Sequence, residues 1–515
     1  MNLNFLILAF HILFLAFLHA QTPEWVYQYI HLSSSDERPE AIVVDNLGDT
    51  YTTGVLSSDD TTGGHITGIA IIKLNNLGDE KWIYFNDTLG RLTEGYDIAL
   101  KNNRVYATGY TGPSPSNYPI FIVLCVDTSG QRQWVYRDSI AIRGHAIGVS
   151  TSHKIYAAGI TFNYDMICIK LDSLGNEKRR YVYDGPAGSY DEASSIAIDK
   201  NENIYVGGYS TGIGTAEDFT VIKLDSAGNE RWVYRYDGPA SYRDEIKAID
   251  LDTMGNIYMA GWSWGVVGEW DFCVVKIDSS GQEQWVYRYD GTAHLWDWAD
   301  DLTIDDSGNV YVCGRSCVDV DTIPLFTVIK VDSDGNERWR YFNQGPLGMG
   351  GYARNIVCDD LGGIYVSGDL DGYLAVVKLS NSGNEEWLYK DPYALVARDI
   401  VADVTNNIYV TGQRRVSQWD DDIVVMKFAA QSGGAKEVMY NETIKRNYSP
   451  TIFKQGIDFL SQENCGLKSY DVTGRKVANQ NLQHDKKEYI KLQPGVYFLR
   501  VEKGKNQVTK KIIIL

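Results

Sequence analysis

Four acids stand at matched places along this chain: Glu37, Asp191, Asp244 and Asp297, each eight residues ahead of a further aspartate (Asp45, Asp199, Asp252 and Asp305). Two carboxylates within about 5–10 Å of each other can perform acid–base work on a glycosidic bond. The sequence shows no histidine or arginine cluster beside these four. A feature that recurs from repeat to repeat also fits a structural duty, because an active centre occurs once. No catalytic residue is assigned.

Other residues raise metal chemistry. Asp225, Asp278 and Asp332 open Asp-Ser-x-Gly turns, and Asp332-Ser-Asp334-Gly-Asn336 spaces its oxygens alternately. Calcium takes six to eight oxygens, including a bidentate acid that these turns lack. A capping Asp and a Gly at positive φ account for them as hairpins. Of seven cysteines, Cys125, Cys168, Cys273 and Cys358 lie in apolar runs, and the Cys313/Cys317 spacing is not repeated to build a zinc site. No metal and no cofactor is expected. A recurrent lysine (Lys73, Lys170, Lys223, Lys276, Lys330, Lys378, Lys427) is expected to pair with the repeated Asp199, Asp252 and Asp305.

The elements that must position these residues are short strands. The clearest copy reads Ser195-Ile-Ala-Ile-Asp199, Asn203-Ile-Tyr-Val-Gly-Gly208, Phe219-Thr-Val-Ile-Lys-Leu-Asp225 and Arg231-Trp-Val-Tyr-Arg-Tyr236. Each is a strand ended by Asp, Gly or Asn, which gives four strands per repeat. A glycine closes the second strand at Gly54, Gly109, Gly159, Gly208, Gly261, Gly314, Gly368 and Gly412, a mean spacing of roughly 51 residues. A tyrosine stands three residues before every one of them. Trp82, Trp134, Trp232, Trp285, Trp339 and Trp387 mark the fourth strand, with Arg179 in the third repeat.

The eighth repeat lacks a good fourth strand, and an unattached copy, Glu24-Trp-Val-Tyr-Gln-Tyr29, lies near the start of the chain. Either this N-terminal strand closes the last blade, or Glu437 to Tyr440 forms a degenerate one. Closure removes two open sheet edges.

Six tryptophans fall outside the column: Trp262, Trp264, Trp270, Trp296, Trp298 and Trp419. Five of them occupy two loops, 260–270 and 294–298. A second-to-third-strand loop and a blade-to-blade loop emerge on one face, so these rings should be neighbours between blades five and six. With Asp297, Asp300 and Asp301 they could form a platform for sugar rings or a protein hot spot. They could equally fold over one another and bury the rings locally.

The Asp-x-x-Gly-Asn-Ile-Tyr-Val-x-Gly signature, followed by Lys-Leu-Asp-Ser-x-Gly-Asn-Glu, resembles the bacterial β-propeller repeat family from about Glu24 to Phe428. That resemblance implies an extracytoplasmic propeller and supplies no shared catalytic residues; the family's usual label says seven blades, and this chain shows eight copies. The end of the chain is similar to the type IX secretion sorting domain. Gly474 and Arg475 supply its turn, Leu492-Gln-Pro494-Gly495-Val-Tyr497 its arm, and Lys-Ile-Ile-Ile its terminus. This resemblance implies a small immunoglobulin-like β-sandwich that engages the type IX machinery.

Phe5 to Leu18 is nearly pure apolar and reads as a signal peptide, though without a leading Lys or Arg. The expected division is 1–20 signal peptide, 21–428 eight-bladed propeller, 429–439 linker and 440–515 sorting domain. Net charge is −19, and 14 Lys+Arg against 7 Asp+Glu from Tyr440 onward leave −26 for the rest. So acidic a body repels phosphate backbones, which excludes nucleic acid as a partner. The expectation is a secreted or cell-surface, non-enzymatic binding scaffold, monomeric, holding polysaccharide or protein on its long-loop face. A glycan hydrolase or lyase, or a purely structural surface component, stands as the alternative.

Overall fold

Each repeat folds as one antiparallel four-stranded sheet, and eight such sheets follow one another. The computed structural model describes residues 21–29, 37–59, 65–86, 93–112, 119–267, 269–317, 323–417 and 420–430, together with C-terminal strands between 457 and 514. The signal-peptide segment, Trp419, residues 431–439 of the linker, Gly474, Pro494 and the alternative closing strand at 437–440 lie outside the described residues. The chain divides into two units, Met1–Ala430 and Gln431–Leu515.

Blade four shows the logic. Its strands are Asp191–Ile198, Ile204–Thr211, Glu217–Leu224 and Glu230–Tyr236. The middle two are apolar on both faces and almost wholly buried, as strands sandwiched between neighbouring sheets must be. The outer strand, rich in Arg and Glu, is half exposed. Core clusters form between blades: Tyr205, Phe219 and Val221 of blade four pack with Met259, Cys273 and Val275 of blade five. Buried Cys125, Cys168, Cys273 and Cys313 are free thiols that fill these layers.

A repeated lock joins consecutive blades. The Trp82 indole N–H and the Lys73 ammonium both donate to the Thr128 carbonyl of the next blade, at 3.0 and 3.3 Å. Trp285 and Lys276 do the same at Ser333, each at 3.0 Å. The lysine also lies over the column tyrosine, with Lys276 Nζ 5.0 Å from the Tyr258 ring centre. The tyrosine hydroxyl in turn donates to the strand-closing aspartate, Tyr258 to Asp252 at 3.2 Å. The lysines therefore do not pair with Asp199, Asp252 and Asp305. Tyrosine hydroxyls reach those carboxylates, and the ammonium reaches the neighbouring blade.

Trp25–Gln28 pairs antiparallel with the third strand of blade eight, Trp25 opposite Lys427 and Gln28 opposite Val424. Trp25 takes the column position: its ring centre is 6.1 Å from that of Tyr409, and its N–H donates to Asn76 of blade one at 3.0 Å. The first and last blades are thus joined by the N-terminal strand.

In the second unit, Lys476–Leu482, Cys465–Asp471, Gly495–Lys503 and Asn506–Ile514 form one antiparallel sheet in that order, and Ile457–Leu460 pairs with Lys487–Ile490. Gly495 and Tyr497 of the sorting motif lie on the third of those four strands, and Arg475 immediately precedes the first.

Candidate functional site

The first strands lie innermost, each beside the first strands of its two neighbours, so together they wall a central channel. Every one carries a bulge. In blade four, Ala193 pairs with Gly208 and Ser195 with Gly207, leaving Ser194 unpaired. The column glycine explains it: a Cβ at Gly208 would stand 1.9 Å from the Glu192 carbonyl oxygen, so only glycine lets the bulged strand approach. The bulge residues of blades one to eight are Glu40, Tyr96, His145, Ser194, Lys247, Asp300, Arg354 and Arg398.

These side chains, the residues just before them and those just after the glycines interlock around one rim of the channel. Arg38 pairs with Glu94 at 2.9 Å. Tyr96 stacks on His145, ring centres 5.4 Å apart, and Arg143 lies over Tyr110 at 5.7 Å. His145 Nε2 is 3.0 Å from Glu192 Oε1, while the hydroxyls of Tyr190 and Tyr209 donate to Glu192 Oε2 at 2.9 and 2.7 Å. Burial opposes the charged form of Glu192, yet His145 and the two tyrosines outweigh it and hold the carboxyl at about 2.

Arg243 lies over both Tyr209 and Trp262, at 5.7 and 5.2 Å, and pairs with Glu245, which Lys247 also contacts. Farther round, Arg315 lies over Trp298 and Tyr352, Arg354 pairs with Asp369 at 3.2 Å, and Arg398 donates to the Gln413 amide oxygen at 2.8 Å. Burial raises the carboxyls of Glu40 and Asp369, with Arg398 and Arg354 partly opposing it at both. The rim therefore interleaves guanidinium groups, carboxylates and aromatic rings, with every blade contributing.

The four off-pattern tryptophans nearest this rim do come together. Trp262 stacks with Trp298 at 6.0 Å, Trp270 meets both edge-on at 5.5 Å, and Trp264 meets Trp270 at 5.1 Å. Much of their surface is spent on one another: Trp262 is only 6 % exposed. Trp296 stands apart at 49 % exposure, its N–H donating to Glu269 at 3.0 Å.

The three acids expected beside them separate. Asp297 is buried and accepts N–H groups of Gly291 and Cys317 at 2.7 and 3.2 Å. Asp301 lies in the channel wall, accepting from Leu302 and, across the blade interface, from Ile356 at 2.8 and 2.9 Å. Only Asp300 faces the rim, where burial lifts it to about 6 against the pull of Arg315, Arg354 and Lys247.

Asp191 and Asp244 match Asp297 as buried clasps: they accept from Gly185 at 2.7 Å and Gly238 at 2.6 Å, and Glu37 is buried too. Asp191, Asp244 and Asp297 thus tie down blade connections, and all four acids picked out by spacing are buried. The rim acids are Glu40, Glu94, Glu192, Glu245, Asp300 and Asp369, and an arginine and histidine cluster does accompany them.

As for cations, carboxylate oxygens of Asp165, Asp184 and Asp191, and of Asp218, Asp237 and Asp244, lie within 4.8 Å of one another. The second group holds Arg235 on Asp218 at 2.6 Å. In the Asp-Ser-x-Gly turns the aspartate caps backbone: Asp332 Oδ1 accepts from Asp334 and Asn336 at 3.0 and 2.8 Å.

The fold defines the class, a β-propeller of eight four-stranded blades. Residues 185–214 match the family described as beta-propeller repeat, and residues 450–515 match the family described as secretion system C-terminal sorting domain. The latter marks a protein exported by type IX secretion to the cell surface or extracellular space. No curated protein matches the chain. Among solved structures, Sqt1 of Chaetomium thermophilum, bound to the N-terminus of a ribosomal protein, is 10% identical, with 77% of this chain and 98% of that one covered and a TM-score of 0.49. The lectin BP39L of Burkholderia pseudomallei is 11% identical over 67% and 96%, TM-score 0.44. The polysaccharide lyase Uly1 is 10% identical over 68% and 91%, TM-score 0.42. At such TM-scores these likenesses carry no functional argument.

Proposed function

We propose that the propeller is an extracellular carbohydrate-binding scaffold that holds a polysaccharide across the rim of its channel. The observation that carries this reading is the rim itself: planar polar groups that donate and accept in pairs, set between aromatic faces. Sugars offer matching chemistry, with vicinal hydroxyls for the former and C–H faces for the latter. Trp264 joins the tryptophan group through Trp270, and Trp296 is exposed on the connection between blades five and six. On this reading the propeller does no chemistry, and residues 440–515 are a small β-sandwich that serves export.

The test is intrinsic tryptophan fluorescence of the full chain, titrated with a panel of soluble polysaccharides. Saturable quenching, weakened in a Trp264→Ala/Trp296→Ala variant, supports the reading. No response to any glycan from a folded protein sinks it.

A second reading is favoured by one local arrangement. His145, Glu192, Tyr190 and Tyr209 form a compact acid–base group open to the rim. It predicts that a bound glycan is cut, and product analysis by chromatography after long incubation separates the two readings.

A further inference from the structure

Arg315 is the only cation among the eight residues that directly follow the column glycines. Its guanidinium carbon lies 3.5 Å from the Trp298 ring centre and 4.6 Å from that of Tyr352, so rings from blades six and seven hold it. A 3.5 Å approach to a ring centre fits only a face-on stack. The Nε group is buried without a hydrogen-bond partner, and Arg315 forms no ion pair among the described residues. Asp300 acts on it only through space, and the neutral Tyr352 hydroxyl adds to the hold of the rings.

A desolvated cation without a contacting counter-charge is unfavourable, and the two rings offset only part of that. Stacking fixes the plane of the group and leaves its edge as the place for a planar or tetrahedral anion. Arg354 acts on Arg315 through space, and both Arg354 and Lys247 act in the same way on Asp300.

Resting on the carbohydrate reading above, we propose that Arg315 is the anion-recognition residue of the rim, taking the carboxylate of a uronate or the sulfate ester of a sulfated sugar within an acidic polysaccharide. The negative charge of the body does not oppose this at the rim. Exposed acids farther away than a Debye length, about 8 Å at physiological salt, are largely screened, and the rim carries its own arginines.

The experiment measures binding of the full chain to polygalacturonate, dextran sulfate and neutral dextran by calorimetry, for the native protein, Arg315→Gln and Arg315→Lys. A charge-assisted fork is worth about 1.5–3 kcal/mol, so Arg315→Gln should lose roughly 10- to 100-fold on the acidic polymer and stay within about twofold on any neutral one. Arg315→Lys should recover little, because an ammonium neither stacks nor forks.

Competition by free galacturonate against inorganic sulfate identifies which anion is taken and needs no variant. Unchanged acidic-glycan affinity in Arg315→Gln, or equal binding of polyglutamate, overturns the inference while leaving the carbohydrate reading intact. Absence of binding to every glycan overturns both.

Discussion

The indole of Trp25 lies against Gly78, 53 residues on and one blade across: a Cβ at Gly78 would stand 2.6 Å from Trp25 Cδ2. Gly78 has φ of +81, positive like its counterparts in other turns, so neither the space nor the backbone there admits a side chain. Gly130 meets Trp82, Gly175 meets Trp134 and Gly335 meets Trp285 in the same way. The contact made at most blade interfaces is thus made at the closure too, by the N-terminal strand.

Closure should therefore be measurable at Gly78. Gly78→Ala combines an unfavourable φ with a collision, whereas Gly214→Ala, at φ +84 with nothing within 4 Å, suffers only the first. Gly78→Ala should lower the thermal midpoint clearly more than Gly214→Ala. Trp25→Ala, which empties a half-buried site, should remove about 2–3 kcal/mol. Equal midpoints for the two glycine variants would show that the ring yields at no cost.

The channel wall predicts a pH dependence of stability. Asp97, Asp301 and Asp399 of blades two, six and eight each accept an N–H of the following blade, from Ile147, Ile356 and Ile42 at 2.7, 2.9 and 2.8 Å. Ser195 of blade four replaces them, accepting from Ile249 at 3.3 Å. Burial raises these carboxyls, to about 6 for Asp97, 8 for Asp301 and 7 for Asp399. Between the unfolded value near 4 and those values, the folded chain binds protons that the unfolded chain does not. Their contribution to stability is therefore greatest at low pH and is lost as pH rises through about 6–8. Asp301→Asn should flatten the thermal-midpoint profile across that window relative to the native protein; an unchanged slope would remove Asp301 from the account.

Ligand binding should carry a pH signature of its own. Asp300 faces Arg315, Arg354 and Lys247, with Asp369 adding negative charge, and burial holds its carboxyl at about 6. Ionised Asp300 competes with an anionic ligand for those cations, and protonated Asp300 does not. Affinity for an acidic glycan should rise as pH falls from about 7.5 to 5.5, and Asp300→Asn should bind more tightly at the upper pH with less pH dependence. Calorimetry at both values decides it, and a weaker Asp300→Asn at the upper pH would contradict the competition.

The periodic columns were legible in the sequence because each glycine, tyrosine and tryptophan has the same neighbours in every blade. What the column meant was less legible. Gly208 repeats because the Glu192 carbonyl crowds it, a contact invisible until the bulge is seen. The rim was missed for the opposite reason. Its members sit fourteen residues before the column glycine (thirteen in blade two), and no two neighbouring blades repeat a residue there until Arg354 and Arg398. A fixed offset occupied by Glu, Tyr, His, Ser, Lys, Asp and Arg was the available signal. Spacing instead drew attention to Asp191, Asp244 and Asp297, whose regularity reflects a backbone clasp.

Blade three departs from the repeat at two points, and both lead to a stabilising prediction. Arg179 occupies the tryptophan position, where its aliphatic Cβ, Cγ and Cδ lie against Gly228 in place of a ring and its guanidinium reaches the Asn229 side chain at 3.3 Å. Ser150 occupies the strand-closing position that Asp199 and Asp252 fill elsewhere, so the Tyr156 hydroxyl is buried without a partner, whereas Tyr205 and Tyr258 have theirs. Arg179→Trp should restore the indole over Gly228 beside the Ser226 carbonyl that Lys170 already contacts at 2.6 Å. Ser150→Asp should give Tyr156 an acceptor. Restoring a repeat residue in its own setting commonly adds about 0.5–2 kcal/mol, and a satisfied buried hydroxyl about 1 kcal/mol. The two sites share Tyr156, so the double variant should gain more or less than the separate gains added together. Denaturant melts of the single and double variants check this, and a loss of stability in Arg179→Trp would mean that the arginine, not the indole, suits the third interface.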